Sequence, residues 1–126
     1  MPFTRISLAS GKAAAYHTAV QAGVYDAMRE TFDVPVDDKF MVLHEHQEGA
    51  MDFGASYLDI ERSQDLVMIQ ITANNTRTVE QKQALYAAIC KNLGRDPGVR
   101  PEDVFISLVE VPKENWSFGH GIAQYA

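Results

Sequence analysis

Residues 3–8 alternate, with Thr4, Ile6 and Leu8 on one side and Phe3, Arg5 and Ser7 on the other. This is the two-residue period of a strand, predicted from about Pro2 to Leu8. The period then changes. Tyr16, Val20, Gly23, Val24 and Ala27 fall on one stripe of a helix running from about Lys12 to Thr31. Pro35 marks the way out, and Phe40 to Glu45 reads as a closing strand. The same order then returns. Ile69, Ile71 and Ala73 alternate in a strand from about Leu66 to Thr72. A second helix begins at Thr78, where Thr78 and Gln81 have capping-box spacing, and Leu85, Ile89 and Leu93 form its stripe. Pro101 precedes a last strand, Val104 to Glu110. There Ile106 and Leu108 oppose Phe105, Ser107 and Val109.

The recurrence is a duplication. A shift of 65 residues places Ile6 on Ile71, Ala19 on Ala84, Val34 on Val99, Asp38 on Asp103, Phe40 on Phe105 and Glu45 on Glu110, without a gap. Lys12 then meets Arg77, a match in charge. Two copies indicate a doubled unit sharing one core. The chain, residues 1–126, is therefore expected to be a single domain of two β-α-β repeats, about 2–46 and 66–111. The fold class is α/β (α+β), a two-layer sandwich with both helices on one face of the sheet. A loop from Gln47 to Gln64 joins the copies. After Pro112, the glycines at 119 and 121 suggest a short C-terminal hairpin. Phe3, Phe40, Val42, Phe105 and Val109 fall on the sheet face that the helices cannot cover. So much apolar surface predicts self-association, with a closed ring as the common solution.

Composition narrows the function classes. The length of 126 residues suits one core, and 46% hydrophobic content argues against disorder. A net charge of −6 argues against a nucleic-acid surface. No apolar run approaches the roughly 20 residues of a membrane span, and no signal-peptide pattern is visible. With Cys90 as the single cysteine, no intrachain disulfide forms. A soluble cytoplasmic protein is the expectation, with no nucleic-acid or membrane partner.

The candidate chemistry begins at Pro2. A small residue after the initiator Met1 favours removal of the methionine, which leaves the proline nitrogen as a free secondary amine. An α-amino group titrates near about 7.7–8.0, and an apolar pocket lowers that value. Such a group is a rigid base at neutral pH and can also form an iminium ion. His44 and His46 share a strand face at a spacing that suits a metal, but no convincing third ligand accompanies them, and none is expected to bind. Arg77 lies at a helix start, where a positive charge opposes the macrodipole. Bidentate pairing with a carboxylate, worth about 1.5–3 kcal/mol per charge-assisted bond in a shielded site, explains a cation there. Asp38 and Asp103 each precede a strand after a proline-containing turn, so turn capping accounts for both as readily as function does.

Pro2, the duplicated unit, Arg77 before Thr78-Val79-Glu80-Gln81-Lys82, and the ending Trp116-Ser117-Phe118-Gly119 together resemble the tautomerase superfamily. The closest likeness is to its malonate semialdehyde decarboxylase-like and fused 4-oxalocrotonate tautomerase branches. The resemblance covers nearly the whole chain. It implies the tautomerase (MIF-like) fold and a homotrimer in which each chain stands for two subunits of the hexameric small tautomerases. It also implies Pro2 as the catalytic group, Arg77 as the carboxylate-binding arginine, Asp38 as an assisting aspartate, and Trp116 and Phe118 as pocket walls. Asn75 stands where the decarboxylase pattern has a further substrate-binding arginine. Lys12 stands where the small tautomerases carry a carboxylate-binding arginine.

The function expected is therefore keto–enol tautomerisation of a small 2-oxo or enol carboxylic acid, by Pro2 as general base and acid, without cofactor or metal. One rival is a malonate-semialdehyde-type decarboxylase or hydratase with a cationic Pro2, a charge that Asp38 would favour. Another is a non-catalytic trimeric binding protein, should Met1 be retained.

Overall fold

The computed structural model describes residues 2–126. Strand β1 (Phe3–Ala9) is followed by helix α1 (Ala14–Phe32) and strand β2 (Phe40–His46); β3 (Val67–Asn74), α2 (Val79–Arg95) and β4 (Val104–Val111) repeat the order. The sheet order is β2-β1-β3-β4. Within each copy the two strands are parallel, and the copies meet where β1 runs antiparallel to β3, Phe3 opposite Thr72 and Ser7 opposite Met68.

Local chemistry sets the helix ends. Thr78 caps α2 in a reciprocal box: its Oγ1 accepts from the Gln81 amide at 3.1 Å, and Gln81 Oε1 accepts from the Thr78 amide at 2.9 Å. Helix α1 has no side-chain cap at Ala13; it ends at Asp33 in the left-handed conformation, φ 52°. The alternating residues of β1 and β3 and the helix stripes close one core. It contains Ile6, Leu8, Val20, Val24, Ile69, Ile71, Leu85 and Ile89. The helices touch most tightly at Gly23, whose carbonyl accepts a hydrogen bond from Asn92 Nδ2 at 3.0 Å. A Cβ there would lie 2.8 Å from Leu93 Cδ2 and 3.3 Å from Asn92 Cβ.

The other sheet face is open. Phe40 is 47% and Phe105 48% exposed, with Val42 and Val109 beside them on the same face. No helix among the described residues is long and apolar enough to cross a membrane. The connection between the copies is ordered around Arg62, whose Nη1 faces the carbonyls of Gly54, Tyr57 and Ile60 at 2.9–3.2 Å.

The chain end differs from the expected hairpin. A 3₁₀ turn at Lys113–Asn115 is followed by turns, with no strand after Val111. The cause is local hydrogen bonding. Gln124 Oε1 accepts from the Phe118 amide at 2.9 Å and Gln124 Nε2 donates to Gly119 O at 3.0 Å, while Gly119, His120 and Gly121 all take positive φ. Side-chain bonds thus occupy the backbone groups that a ladder would need.

Because Leu93 is fully buried, a branched side chain at position 23 has nowhere to go. Gly23→Val is expected to destabilise the protein by about 1–3 kcal/mol, read from the urea midpoint at unchanged m-value.

Candidate active site

The antiparallel pairing of β1 with β3 decides what lies at each end of the sheet. Residues that precede β1 meet residues that follow β3. Pro2 is buried one position before the Phe3–Thr72 pair. Asp38 stands two positions before β2, and Asn74 and Arg77 come at and after the end of β3. These last three line a cleft of about 400 Å³ with Phe32, Lys113 and Tyr125.

Arg77 is fixed in three ways. Its Nη2 donates to Phe32 O at 2.8 Å, its guanidinium carbon lies 4.7 Å from the Phe32 ring centroid, and its backbone leads into the α2 cap. Burial lowers its pKa, while Asp33 and Asp38 raise it. A guanidinium remains cationic throughout the working pH range, so the cleft holds a permanent, pre-aimed positive charge. Asn74 is buried as well, and its Oδ1 accepts from Trp116 Nε1 at 2.8 Å. That bond assigns the amide orientation and leaves the Asn74 NH₂ as donor.

Asp38 and Asp103, equivalent by duplication, occupy opposite electrostatic settings. Burial would push the Asp103 carboxyl up, but donors from Arg100 and Ser63 outweigh it and hold the group below the usual carboxylate range. Ser63 Oγ donates at 2.6 Å, the Ser63 amide at 2.7 Å and Arg100 Nε at 3.1 Å. Pro35 stands at the place of Arg100 in the first copy, with no side chain donor. There burial dominates, and the Asp38 carboxyl is raised; the Arg77 charge opposes this only in part. The counterpart of Arg77 fares likewise. Lys12 lies at the other end of the sheet, paired to Asp65 at 2.9 Å, and the counterpart of Pro2 is Val67, inside the chain. The second copy's end is thus closed by its own ion pairs and by residues 63–65.

A family model for the tautomerase enzymes matches residues 38–119. YusQ, a probable tautomerase of Bacillus subtilis (strain 168), is 39% identical over 124 residues, covering 98% of each chain. The chain belongs to the tautomerase family. The chain is also similar to solved malonate semialdehyde decarboxylases. One is 30% identical with a TM-score of 0.92, over 98% of this chain and 95% of that one. Another, the FG41 malonate semialdehyde decarboxylase inhibited by 3-bromopropiolate, is 35% identical with a TM-score of 0.92, over 98% and 93%.

The residues predicted from the sequence are distributed unevenly. Asp38 and Arg77 share the cleft, and Pro2 lies buried at the same end of the sheet. Trp116 and Phe118 stack on each other, centroids 5.6 Å apart, behind Asn74; Phe118 also meets Tyr125 edge-on at 5.2 Å. Asn75 is exposed at the turn, and its amide donates to Val111 O at 3.1 Å; Asn74 is the one that faces the cleft. Phe32, Asp33, Asn74, Thr76 and Lys113 also line the cleft, and the sequence had not singled them out. Only the indole's need for an acceptor pointed toward Asn74. The processing of Met1 lies outside the described residues. His44 and His46 sit on the open sheet face, ring centroids 6.5 Å apart, with Arg5 Nη1 3.3 Å from His44 Nε2. No group of three or more potential ligands occurs among the described residues.

The two aspartates predict opposite linkage. Asp103, depressed when folded, stabilises above its unfolded pKa near about 3.9, and that contribution fades as pH falls through the folded value. Asp103→Asn should cost about 1–3 kcal/mol at pH 7, with the deficit shrinking on acidification. Asp38, raised when folded, disfavours the fold once ionised. Asp38→Asn should therefore gain on the wild type at pH 7, with no difference below about pH 4. Chemical denaturation across pH 3–8 reads both.

Proposed function

We propose that this protein is an amino-terminal-proline enzyme that interconverts the keto and enol forms of a small 2-oxo carboxylic acid. The observation that carries the reading is the burial of Pro2 at the sheet end where Arg77 is held in a cleft by Phe32. With Met1 removed, the Pro2 nitrogen is a secondary amine, and its burial near the Arg77 charge favours the unprotonated form. Arg77 pairs with the substrate carboxylate. The proline accepts the proton of the enol oxygen, the electron pair moves through the conjugated carbons, and the prolinium returns a proton to carbon. The Asn74 NH₂ and the guanidinium stabilise the oxyanion that develops between these steps. Phe32 and Tyr125, the aromatic residues that line the cleft, limit access of water.

A second reading has a specific observation in its favour: similarity at 30–35% identity to malonate semialdehyde decarboxylases, one described with decarboxylase and hydratase activities. In it a cationic Pro2 polarises a 3-oxo acid, the bond to the carboxylate carbon breaks, carbon dioxide leaves, and the enol is reprotonated. Ionised Asp38 favours that cation. Asn75, exposed at the turn where the decarboxylase pattern has a second arginine, weakens this second reading.

Intact mass of protein from its native cell is expected to lack Met1. Phenylenolpyruvate, 2-hydroxymuconate and malonate semialdehyde, each followed by product analysis, separate the readings. Pro2→Ala should lower kcat/KM for the preferred substrate by about 10²–10⁴-fold; undiminished turnover would falsify the proline mechanism. The exposed face of Phe40, Val42, Phe105 and Val109 supports a homotrimer. Light scattering should give three chain masses, and Phe105→Asp should lower that value.

A further inference from the structure

The open sheet face is not uniformly apolar. The strand register sets its residues in rows. Phe40, Phe3, Thr72 and Val109 form one row, Val42, Arg5, Gln70 and Ser107 the next, and His44, Ser7, Met68 and Phe105 the third. Arg5, Gln70 and Ser107 thus make a polar patch between apolar rows, with Ser7 two residues further along β1. All four line a cavity of about 440 Å³, and no acid lines it.

The donors of this patch are unspent. Arg5 Nη1 donates to His44 Nε2 at 3.3 Å, and its guanidinium carbon lies 5.3 Å from the Phe3 ring centroid. These contacts aim the guanidinium and leave its other N–H groups to a ligand. Arg5 makes no ion pair among the described residues, and the side chains of Ser7, Gln70 and Ser107 make no hydrogen bond among them. One cation and three neutral donors, drawn from three strands, suit an anion with more oxygens than a carboxylate has.

An apolar cavity adjoins the patch. It also measures about 440 Å³, shares Met68 and Phe105 with the first, and is walled by Phe53, Tyr57 and Leu66 from the connection between the copies. Arg62 lines it too, but that guanidinium is spent on the carbonyls of Gly54, Tyr57 and Ile60 and fixes the wall. Asp52 is the one acid in its lining. Charge therefore orients an amphiphilic ligand, with the anion toward Arg5 and the apolar body toward Tyr57.

We propose that the open sheet face carries a binding site for a small phosphate monoester with an aromatic body. The phosphate sits on Arg5, Gln70, Ser7 and Ser107, and the body lies against Met68, Phe105 and Tyr57. The two cavities share no lining residue with the cleft of Arg77, so the site does not rest on the chemistry proposed for Pro2.

The probe is 1-naphthyl phosphate, compared with inorganic phosphate, 1-naphthol and 1-naphthoate. Calorimetric titration of the wild type is expected to show the ester binding about tenfold tighter than inorganic phosphate, and 1-naphthoate binding more weakly than the ester. Arg5→Met should weaken the ester about tenfold and leave 1-naphthol unchanged. Tyr57→Ser should weaken the ester and leave inorganic phosphate unchanged, and Arg77→Met should leave all four unchanged. Because Phe105 also belongs to the face proposed to join chains, light scattering with and without the ester should give the same mass. No binding of the ester, or binding insensitive to Arg5→Met, overturns the proposal. Loss of binding in Arg77→Met puts the ester in the cleft and overturns it as well. Equal binding of 1-naphthoate overturns the assignment to a phosphate. A mass that falls as the ester binds shows competition with a neighbouring chain and overturns the site in the assembled protein. A single-chain mass without the ester overturns the trimer alone.

Discussion

The antiparallel pairing of β1 against β3 is the constraint on which the molecule depends. Each copy alone is a parallel strand pair with one helix, which would leave its apolar stripe half covered. Joining the copies edge to edge completes a four-stranded sheet and lets α1 and α2 pack at Gly23 over one core. The same pairing reverses the direction of the second copy. It therefore carries the end of β3, with Asn74 and Arg77, to the start of β1. Stability and the assembly of the cleft follow from one register.

Much of this was legible in the sequence because it is written in short-range patterns. Alternation at Thr4, Ile6 and Leu8 and at Ile69, Ile71 and Ala73, the helix stripes, and the Thr78–Gln81 box each depend on residues a few positions apart. The duplication pointed to two copies sharing one core, but not to the strands that join them. Arg77 also stood out, because a cation at a helix start runs against local electrostatics and so asks for another explanation.

What was not legible depends on distant partners. Asn74 matters because an indole 42 positions later bonds to it, while the neighbouring Asn75 serves only the strand end. Asp38 and Asp103 look alike in their turns. They differ because Ser63 and Arg100 supply donors to one and burial governs the other. The terminal segment carried turn residues that suited a hairpin, but Gln124 satisfies those backbone groups from the side. Neither loop length nor glycine spacing encodes that choice.

The ion-paired end around Lys12 and Asp103 has a further consequence. In an assembly built from identical half-sized chains, every substitution would appear at both ends of the sheet, so no position could serve chemistry at one end and cohesion at the other. Linking the halves in tandem removes that symmetry. Position 2 need not carry the residue that position 67 carries inside the chain, and the acid preceding each outer strand can be governed by burial in one half and by Ser63 and Arg100 in the other. Tandem linkage thus lets different residues meet two demands that identical half-sized chains would have to meet with the same ones.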